Sequence, residues 1–363
     1  MSVTEQGLLA ALTSVQDPHT GQDFVSTRAL RNVQIHGGDV AFDVELGYPA
    51  KSLLPELRRS LVAAAKGVAG VENVSVNITT KVVAHAVQRG VQLLPQVKNI
   101  IAVASGKGGV GKSTTAANLA LALAAEGASV GVLDADIYGP SQPMMMGINR
   151  RPESDDGKTM EPLENYGVQV MSIGFLVDQD EAMIWRGPMA TQALEQLLRQ
   201  TNWKDLDYLI IDMPPGTGDI QLTLSQRVPM TGAVIVTTPQ DIALLDAKKG
   251  IKMFEKVGVP ILGIVENMAA HVCSNCGHVE HIFGADGGKK MAAEYGMDYL
   301  GALPLNMSIR LQADSGKPTV VADPDGEVAQ IYKKVARDVA VKIAQQAKDF
   351  SSKFPTISIS KNT

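Results

Sequence analysis

The sequence predicts an α/β protein with a mostly parallel, doubly wound sheet, preceded by a small α+β domain. Three observations support this: apolar runs that alternate with helical patterns, a glycine-rich loop between one run and a helix, and a different pattern near the N-terminus. The runs are continuous and rich in Val, Ile and Leu, as expected for strands covered on both faces. We predict these strands at residues 100–104, 129–133, 168–173, 209–211, 233–237 and 261–265.

Composition limits the number of domains, the kinds of partner and the location that the sequence predicts. The chain has 363 residues, 45% of them apolar, enough for a substantial core in about two domains. The formal net charge is −5, with 33 basic and 38 acidic residues interspersed, so charge does not indicate a nucleic-acid partner. The first residues lack a signal-peptide pattern and no apolar run reaches membrane-spanning length. We therefore expect a soluble, cytoplasmic protein without stable membrane association.

Residues 1–80 predict the small domain, in the order α-β-β-α-β. The helical patterns cover 8–15 and 52–66, and the strand patterns cover 25–35, 40–46 and 71–79. This order, with the turn DPHTGQD at 17–23, resembles the small α+β domain of iron-sulfur assembly factors. The stretch after the second strand, GYPAKSL, contains no cysteine. We therefore expect a docking or structural role for this domain.

The remaining chain divides into three parts. Residues 81–97 are a polar link, residues 98–350 form the larger nucleotide-binding domain, and residues 351–363 are a polar tail. Between 328 and 343, apolar residues repeat at helical spacing, which predicts a helix packed on the sheet. A membrane-surface helix is the alternative.

The first strand of the larger domain leads into the stretch SGKGGVGKSTT at residues 105–115, followed by a helical pattern. This stretch fits the phosphate-loop pattern G-x4-G-K-[ST]. Glycines let successive N–H groups converge on one anion, Lys112 adds a charge for the outer phosphates, and Ser113 offers a hydroxyl to Mg²⁺. The predicted nucleotide-binding residues of the loop are Gly106, Lys107, Gly108, Gly109, Val110, Gly111, Lys112, Ser113 and Thr114.

Lys107 is not required by the general pattern. It gives the loop the form KGGxGK[ST], which resembles the loops of the nitrogenase iron protein and of the partition and cell-division-positioning ATPases of the MinD/ParA group. This resemblance implies ATP as the nucleotide, a homodimer, and a lysine that reaches the other subunit's nucleotide. Lys107 is therefore a predicted catalytic residue beside Lys112. A solvated surface lysine is the alternative.

Carboxylates follow two further strands, in the stretches DADIYGPS at 134–141 and DMPPGTGD at 212–219. Ligands of such sheets bind at the carboxyl ends of the strands, and phosphoryl transfer needs Mg²⁺ and a positioned water. We therefore predict that these carboxylates, Asp134 and Asp212 among them, serve Mg²⁺ and the attacking water. The resemblance to the same ATPases implies that Asp136 orients the water. An acidic turn is the alternative for Asp134 and Asp136. By resemblance, the stretches are the two switch segments, and the Gly216 N–H senses the γ-phosphate.

Asn267 follows the strand predicted at 261–265. In the resembled ATPases the asparagine of this segment binds adenine, which implies the same role here. An asparagine that caps the strand end is the alternative. The stretch WRGPM at 185–189 also matches those ATPases, without a chemistry of its own.

The chain contains two cysteines, Cys273 and Cys276, in a C-x-x-C spacing that argues against a secreted disulfide framework. Two thiolates can share a soft metal or a cluster, but they cannot complete the four-thiolate shell of a cubane. Two copies of the chain would supply four. The alternatives are a single-chain zinc site with nearby histidines, a thioredoxin-like redox pair, and two inert thiols.

The stretch CSNCGH at 273–278, followed by IFG, resembles the Mrp/ApbC-type iron-sulfur cluster carriers. Together with the domain order, the loop and the two switches, the resemblance covers nearly the whole chain. It implies a labile [4Fe-4S] cluster held across a homodimer, transfer to apo iron-sulfur proteins, and coupled ATP hydrolysis. The alternative is a partition- or positioning-type ATPase with a zinc-binding C-x-x-C knuckle.

Overall fold

The computed structural model describes residues 3–88, 90–177 and 187–347, so the predicted tail at 351–363 lies outside the described residues. The N-terminal unit contains a three-stranded sheet whose central strand pairs antiparallel with the first and parallel with the third. The second helix packs against the third strand, and the first helix packs against the second helix. The elements are α1 (Glu5–Leu12), β1 (Leu30–His36), β2 (Asp39–Leu46), α2 (Leu54–Lys66) and β3 (Asn73–Thr80). The predicted small α+β domain is confirmed.

The first residues of β1 and α1 differ most from the prediction. The first strand begins at Leu30 because the Asp23 carboxylate accepts the N–H groups of Val25 and Ser26, at 3.0 and 2.7 Å, and turns the chain there. Helix α1 begins at Glu5 because the side chain of Thr4 caps it by accepting the N–H of Gly7 at 3.2 Å.

The larger unit is built on an eight-stranded sheet in the order β13-β10-β9-β4-β8-β5-β7-β6. All neighbouring strands run parallel except β6 and β7 at one edge. Strands β11 and β12 form a separate antiparallel hairpin. The strands are β4 (Val97–Ala104), β5 (Val130–Asp134), β6 (Leu163–Asn165), β7 (Val168–Ser172), β8 (Leu206–Asp212), β9 (Gly232–Thr237), β10 (Ile261–Glu266), β11 (His271–Val272), β12 (Val279–Glu280) and β13 (Tyr299–Ala302). The predicted mostly parallel sheet is confirmed.

Nine helices of the described chain connect and cover these strands: α3 (Lys112–Ala125), α4 (Gln142–Met145), α5 (Gly187–Gln200), α6 (Asp219–Arg227), α7 (Asp241–Lys256), α8 (Gly287–Glu294), α9 (Met307–Asp314), α10 (Thr319–Ala322) and α11 (Glu327–Ala344). Helix α3 is buried over most of its length, and α11 packs against it. Helix α11 also packs against β13 and β10 of the sheet, as the apolar repeat at 328–343 predicted. Among the described residues, no helix is long and apolar enough to cross a membrane.

A buried polar network joins the two units. Arg337 on α11 forms an ion pair at 2.6 Å with Glu126, the residue that follows α3. Glu126 also accepts both the hydroxyl of Ser52, at 2.6 Å, and its N–H, at 2.9 Å. Arg337 further donates from Nε to His19 Nε2 at 3.0 Å, and His19 Nδ1 lies 2.8 Å from Asp338 Oδ1. The turn predicted at DPHTGQD thus contributes His19 to the contact between the units.

Candidate functional site

The loop at 105–111 connects β4 to α3 at the carboxyl edge of the sheet. Its shape requires glycine at two positions. A Cβ on Gly106 would lie 2.1 Å from the Asp246 carbonyl carbon on α7, and a Cβ on Gly111 would lie 2.1 Å from Asn267 Nδ2. Gly111 also has φ +81°, a backbone conformation that favours glycine. The loop is therefore held closely between α7 and the end of β10.

Lys112 is the first residue of α3 and is 6% exposed. Its ammonium forms an ion pair with the fully buried carboxylate of Asp212 at the end of β8, and it lies 3.2 Å from the Ser113 hydroxyl. The structure thus brings three predicted residues together. Because the two charges neutralise each other, an anionic phosphate that enters the loop would compete with Asp212 for the ammonium.

Asp134 ends β5 and is completely buried. Its Oδ2 accepts the N–H groups of Ser141 and Gln142, at 2.9 and 3.0 Å, and its Oδ1 accepts the N–H of Asp136 at 3.1 Å. The Ser172 hydroxyl donates to Oδ2 at 3.2 Å. Burial and then the Asp212 carboxylate raise the pKa of Asp134. Asp134 thus folds the first switch segment onto the sheet, and its role as a metal ligand stays a prediction.

Asp136 lies on the same segment, where its carboxylate accepts the N–H of Gly139 at 3.3 Å. Burial raises its pKa, and the opposing charges of Lys112 and Asp212 also act on it. The structure therefore places Asp136 within the electrostatic range of the Lys112–Asp212 pair. Its role in orienting water stays a prediction.

The oxygen atoms around Asp212 fit a hydrated Mg²⁺ ion. Two buried oxygens, Ser141 Oγ at the end of the first switch segment and Gln142 Oε1 at the start of α4, have no hydrogen-bond partner among the described residues. The Asp212 carboxylate lies beside Gln142, because Gln142 Nε2 donates to Asp212 Oδ2 at 2.9 Å. The Lys112 ammonium contacts the other Asp212 oxygen and lies 3.2 Å from the Ser113 hydroxyl. Mg²⁺ prefers oxygen ligands and keeps several of its waters, which are hydrogen-bond donors.

The second switch segment lies against the phosphate loop. The Gly216 N–H, predicted to sense the γ-phosphate, donates to the Ser105 carbonyl at 3.0 Å, and Gln221 Nε2 donates to the Pro215 carbonyl. A contact from this N–H to a phosphate therefore requires the bond to Ser105 to open. The role of Gly216 as a sensor stays a prediction.

Asn267 is 8% exposed, and its Nδ2 donates to the Val110 carbonyl at 2.8 Å. Its backbone N–H donates to the Thr237 carbonyl at 2.7 Å, which ties the ends of β9 and β10 together. The side chain thus braces the phosphate loop in this structure. Adenine binding by Asn267 stays a prediction.

Lys107 is exposed at the tip of the loop. The Ser105 hydroxyl donates to the Lys107 carbonyl at 2.9 Å and holds its backbone. Within the described ranges, no hydrogen bond or ion pair holds its ammonium. The charge is therefore free to reach outward from the loop.

The two cysteines lie on the β11–β12 hairpin. Cys273 is partly buried and Cys276 is exposed. The Cys273 N–H donates to the His278 carbonyl, and the Cys273 carbonyl accepts the N–H of Gly277, both at 2.9 Å. The backbone N–H of Asn275 and then that of Cys276 lower the pKa of the Cys273 thiol, which favours the thiolate that binds metals.

The nearby histidines do not gather around these thiols. His271 Nδ1 lies 3.1 Å from the Leu305 carbonyl, and His281 Nδ1 lies 2.9 Å from the Ala269 carbonyl. His278 is exposed, with Nε2 3.9 Å from Glu280 Oε1. In the part of the chain that the structure describes, no three His, Cys, Asp or Glu side chains are placed to hold a metal. One chain therefore offers two thiolates without a third ligand.

Sequence reasoning missed Gln142, which contacts the predicted metal-binding residues. It stands one position beyond the stretch DADIYGPS, and no sequence pattern marks a glutamine there. The short helix α4 brings its side chain to the Asp212 carboxylate.

The fold and the loop together define the class of protein, a nucleotide-binding P-loop NTPase. Solved structures agree with this class. A nucleotide-binding protein of Archaeoglobus fulgidus in complex with ADP is 37% identical, with a TM-score of 0.56, over 64% of this chain and 90% of that one. The cell-division ATPase MinD of Pyrococcus furiosus shares the fold, with a TM-score of 0.50 and 22% identity, over 66% of this chain and 98% of that one.

Family comparisons identify the branch of this class. The model described as a NUBPL iron-transfer P-loop NTPase matches residues 96–340, and an iron-sulfur cluster assembly protein model matches residues 5–78. The chain belongs to the Mrp/NUBPL family of iron-sulfur cluster carrier proteins.

Individual relatives carry matching descriptions. An iron-sulfur cluster carrier protein of Escherichia coli K12 is 51% identical over 92% of this chain and 91% of its own length. One from Pseudomonas fragi is 62% identical over 74% of this chain and 94% of its own length. The iron-sulfur cluster transfer protein NUBPL of Mus musculus is 55% identical over 67% of this chain and 77% of its own length.

Proposed function

We propose that this protein is an ATP-dependent carrier that holds a labile [4Fe-4S] cluster between two copies of the chain and transfers it to apo iron-sulfur proteins. One observation carries the proposal: Cys273 and Cys276 lie on an accessible hairpin, and no third ligand in the described chain joins them. A cubane needs four thiolates, so a second copy supplies the other pair. The relatives named as cluster carriers support this cargo.

The surface around the cysteines supports a second copy as the partner. Val272, Val279 and Ile282 flank the pair and are 52%, 51% and 54% exposed, unlike most side chains of this size. Apolar side chains that surround a metal-binding pair favour contact with another protein surface. Closing two hairpins on each other would bury these residues and bring four sulfurs together.

The contacts at the phosphate loop support ATP as the nucleotide. They also support a switch in which phosphate and Asp212 compete for the Lys112 ammonium. Bound Mg²⁺ would neutralise charge on the outer phosphates. The Lys112 ammonium would leave Asp212 and bind phosphate oxygens instead. The Asp212 carboxylate would then be available to Mg²⁺. In parallel, the Gly216 N–H would leave Ser105, which frees the second switch segment to move.

Lys107 supports a link between ATP hydrolysis and the cluster site. Its exposed ammonium extends from the loop without a described partner, so it can reach a nucleotide on the second copy. Hydrolysis in the dimer would then change the contact between subunits, and with it the exposure of the cluster. We place this activity in the cytoplasm, where thiols stay reduced.

The rival function, a partition- or positioning-type ATPase with a zinc knuckle, requires a four-ligand zinc site in one chain. In the described residues, no three His, Cys, Asp or Glu side chains are placed to hold a metal ion. The geometry therefore favours the carrier.

Anaerobic reconstitution with ferrous iron and sulfide tests the proposal. We expect the wild type to gain the visible absorption of a [4Fe-4S] cluster and to activate an apo acceptor that needs one. A Cys273→Ala, Cys276→Ala variant should gain no cluster, because each chain loses both thiolates. Ser274→Ala, on the same hairpin tip, is the matched control and should load normally.

Two results would overturn the carrier function. One is equal cluster uptake by the wild type and the double-cysteine variant. The other is one zinc ion per chain in protein purified without added metal, retained against a chelator, which would favour the zinc knuckle.

A further inference from the structure

Gln142, the first residue of α4, is fully buried beside the phosphate loop. Its Nε2 donates to Asp212 Oδ2 at 2.9 Å and to the Ser113 carbonyl at 3.1 Å. Its backbone N–H donates to Asp134 Oδ2 at 3.0 Å. One glutamine therefore contacts all three residues that the sequence predicts to serve Mg²⁺.

These contacts fix the orientation of the side-chain amide. The Asp212 carboxylate and the Ser113 carbonyl are both acceptors, so the NH₂ group of Gln142 must face them. Oε1 belongs to the same amide group, and it is buried without a partner among the described residues. A buried amide oxygen without a partner destabilises the folded protein, so the position calls for a hydrogen-bond donor.

The neighbouring groups limit what that donor can be. Phosphate oxygens accept hydrogen bonds and so cannot donate to Oε1. The Lys112 ammonium is already bound to Asp212 and Ser113. The Ser141 hydroxyl, another buried oxygen without a described partner, precedes Gln142 on the segment. Two such oxygens suit the water shell of Mg²⁺, because that ion gives up its waters reluctantly and each bound water donates strongly.

We propose that Gln142 positions the Mg²⁺ ion of the ATP site, holding Asp212 through Nε2 and accepting a hydrogen bond from a water of the hydrated ion through Oε1. The inference rests on the proposed ATP-binding function. It makes Gln142 a positioning residue, since it acts through Asp212 and through water. It also ties the placement of α4, and so of the first switch segment, to the presence of the metal.

The test compares nucleotide affinity with and without metal. For wild type, Gln142→Leu and Gln142→Glu, the Kd of a non-hydrolysable ATP analogue is measured in Mg²⁺ and in EDTA. The affinity for Mn²⁺ in the analogue complex is measured by electron paramagnetic resonance. In Gln142→Leu we expect an unchanged Kd in EDTA and metal affinity reduced about 10–100-fold, the usual loss for a partner that orients a metal site.

Gln142→Glu distinguishes the role of Nε2 from the role of Oε1. It keeps a side-chain oxygen to accept from water, but it replaces the donor to Asp212 with a second carboxylate, whose charge repels Asp212 and attracts the metal. It should therefore retain more metal affinity than Gln142→Leu. Gln88→Leu is the matched control, because the Gln88 amide also donates to a backbone carbonyl, that of Ser225 at 3.0 Å. Its oxygen is also buried without a partner among the residues that the structure describes. The control should bind metal like the wild type. Gln142→Met replaces the leucine variant if the latter does not fold.

The possible failures are distinguishable. Wild-type metal affinity in Gln142→Leu, or an equal loss of nucleotide affinity in EDTA and in Mg²⁺, would overturn the positioning role. Equal losses in Gln142→Leu and Gln142→Glu would overturn the role of Oε1. A wild type that binds no nucleotide under either condition would instead contradict the proposed ATP-binding function.

Discussion

Replacing Lys112 with alanine is expected to lower kcat/KM for ATP hydrolysis by about 10²–10³-fold, the usual loss when one preorganised group at the reacting charge is removed. The ammonium is 6% exposed and lies between Asp212 and the Ser113 hydroxyl, so it acts where water screens little. Its removal also leaves the buried Asp212 carboxylate without its cation. Steady-state phosphate release, together with the Kd of an ATP analogue, measures the effect.

Two other lysines make this prediction specific. Lys98 pairs with Asp207 at 2.9 Å near the opposite ends of the same strands, β4 and β8, so Lys98→Ala should hydrolyse ATP at close to the wild-type rate. Lys107→Ala should bind nucleotide normally but hydrolyse it more slowly, since we propose that Lys107 acts on the nucleotide of the second copy. Unchanged hydrolysis in Lys112→Ala would contradict the assigned site, and loss of nucleotide binding in Lys107→Ala would contradict the trans role.

Replacing Arg337 with alanine is expected to lower the free energy of unfolding by about 3–5 kcal/mol, because removal of one partner leaves an uncompensated buried charge. The charge left without a partner is that of Glu126. Its side chain is 1% exposed, and the Arg337 side chain is 10% exposed. Arg337 also donates to His19 and to the Ser52 hydroxyl, at 3.0 and 3.2 Å, so both contacts between the units are lost with it. Urea denaturation of the apoprotein, followed by circular dichroism, measures the change.

An exposed pair gives the control. Arg310 lies 3.9 Å from Asp314 on α9, with side chains 68% and 52% exposed. Arg310→Ala should therefore change stability by at most about 1 kcal/mol. If Arg337→Ala costs no more than this control, the buried network does not hold the units together.

The sequence was most informative where local chemistry determines structure. The glycines at 106 and 111 are needed by the close approach of Asp246 and Asn267, and strand β4 and helix α3 flank them as predicted. The continuous apolar runs predicted the buried parallel strands for the same reason, since both faces of each are covered. Asp212 likewise ends the apolar strand β8, as the sequence predicted, and it lies beside Lys112.

Other features depend on contacts between residues far apart in the chain, and single-sequence patterns carry no such information. Strands β6 and β13 are only three and four residues long and were not predicted. The network of Arg337, Glu126 and His19 joins residues separated by up to 318 positions. The contact of Asn267 with the Val110 carbonyl also crosses 157 positions, so its bracing of the loop could not be predicted from its place after a strand.

We propose that two chains share one cluster through Cys273 and Cys276. Anaerobic native mass spectrometry of the reconstituted wild type, with iron and sulfide analysis of the same sample, tests this sharing. We expect a dimer that carries four iron and four sulfide ions, and monomers once the cluster is removed by chelation. A monomer that retains a complete cluster, or a reconstituted dimer with one cluster in each chain, would contradict it.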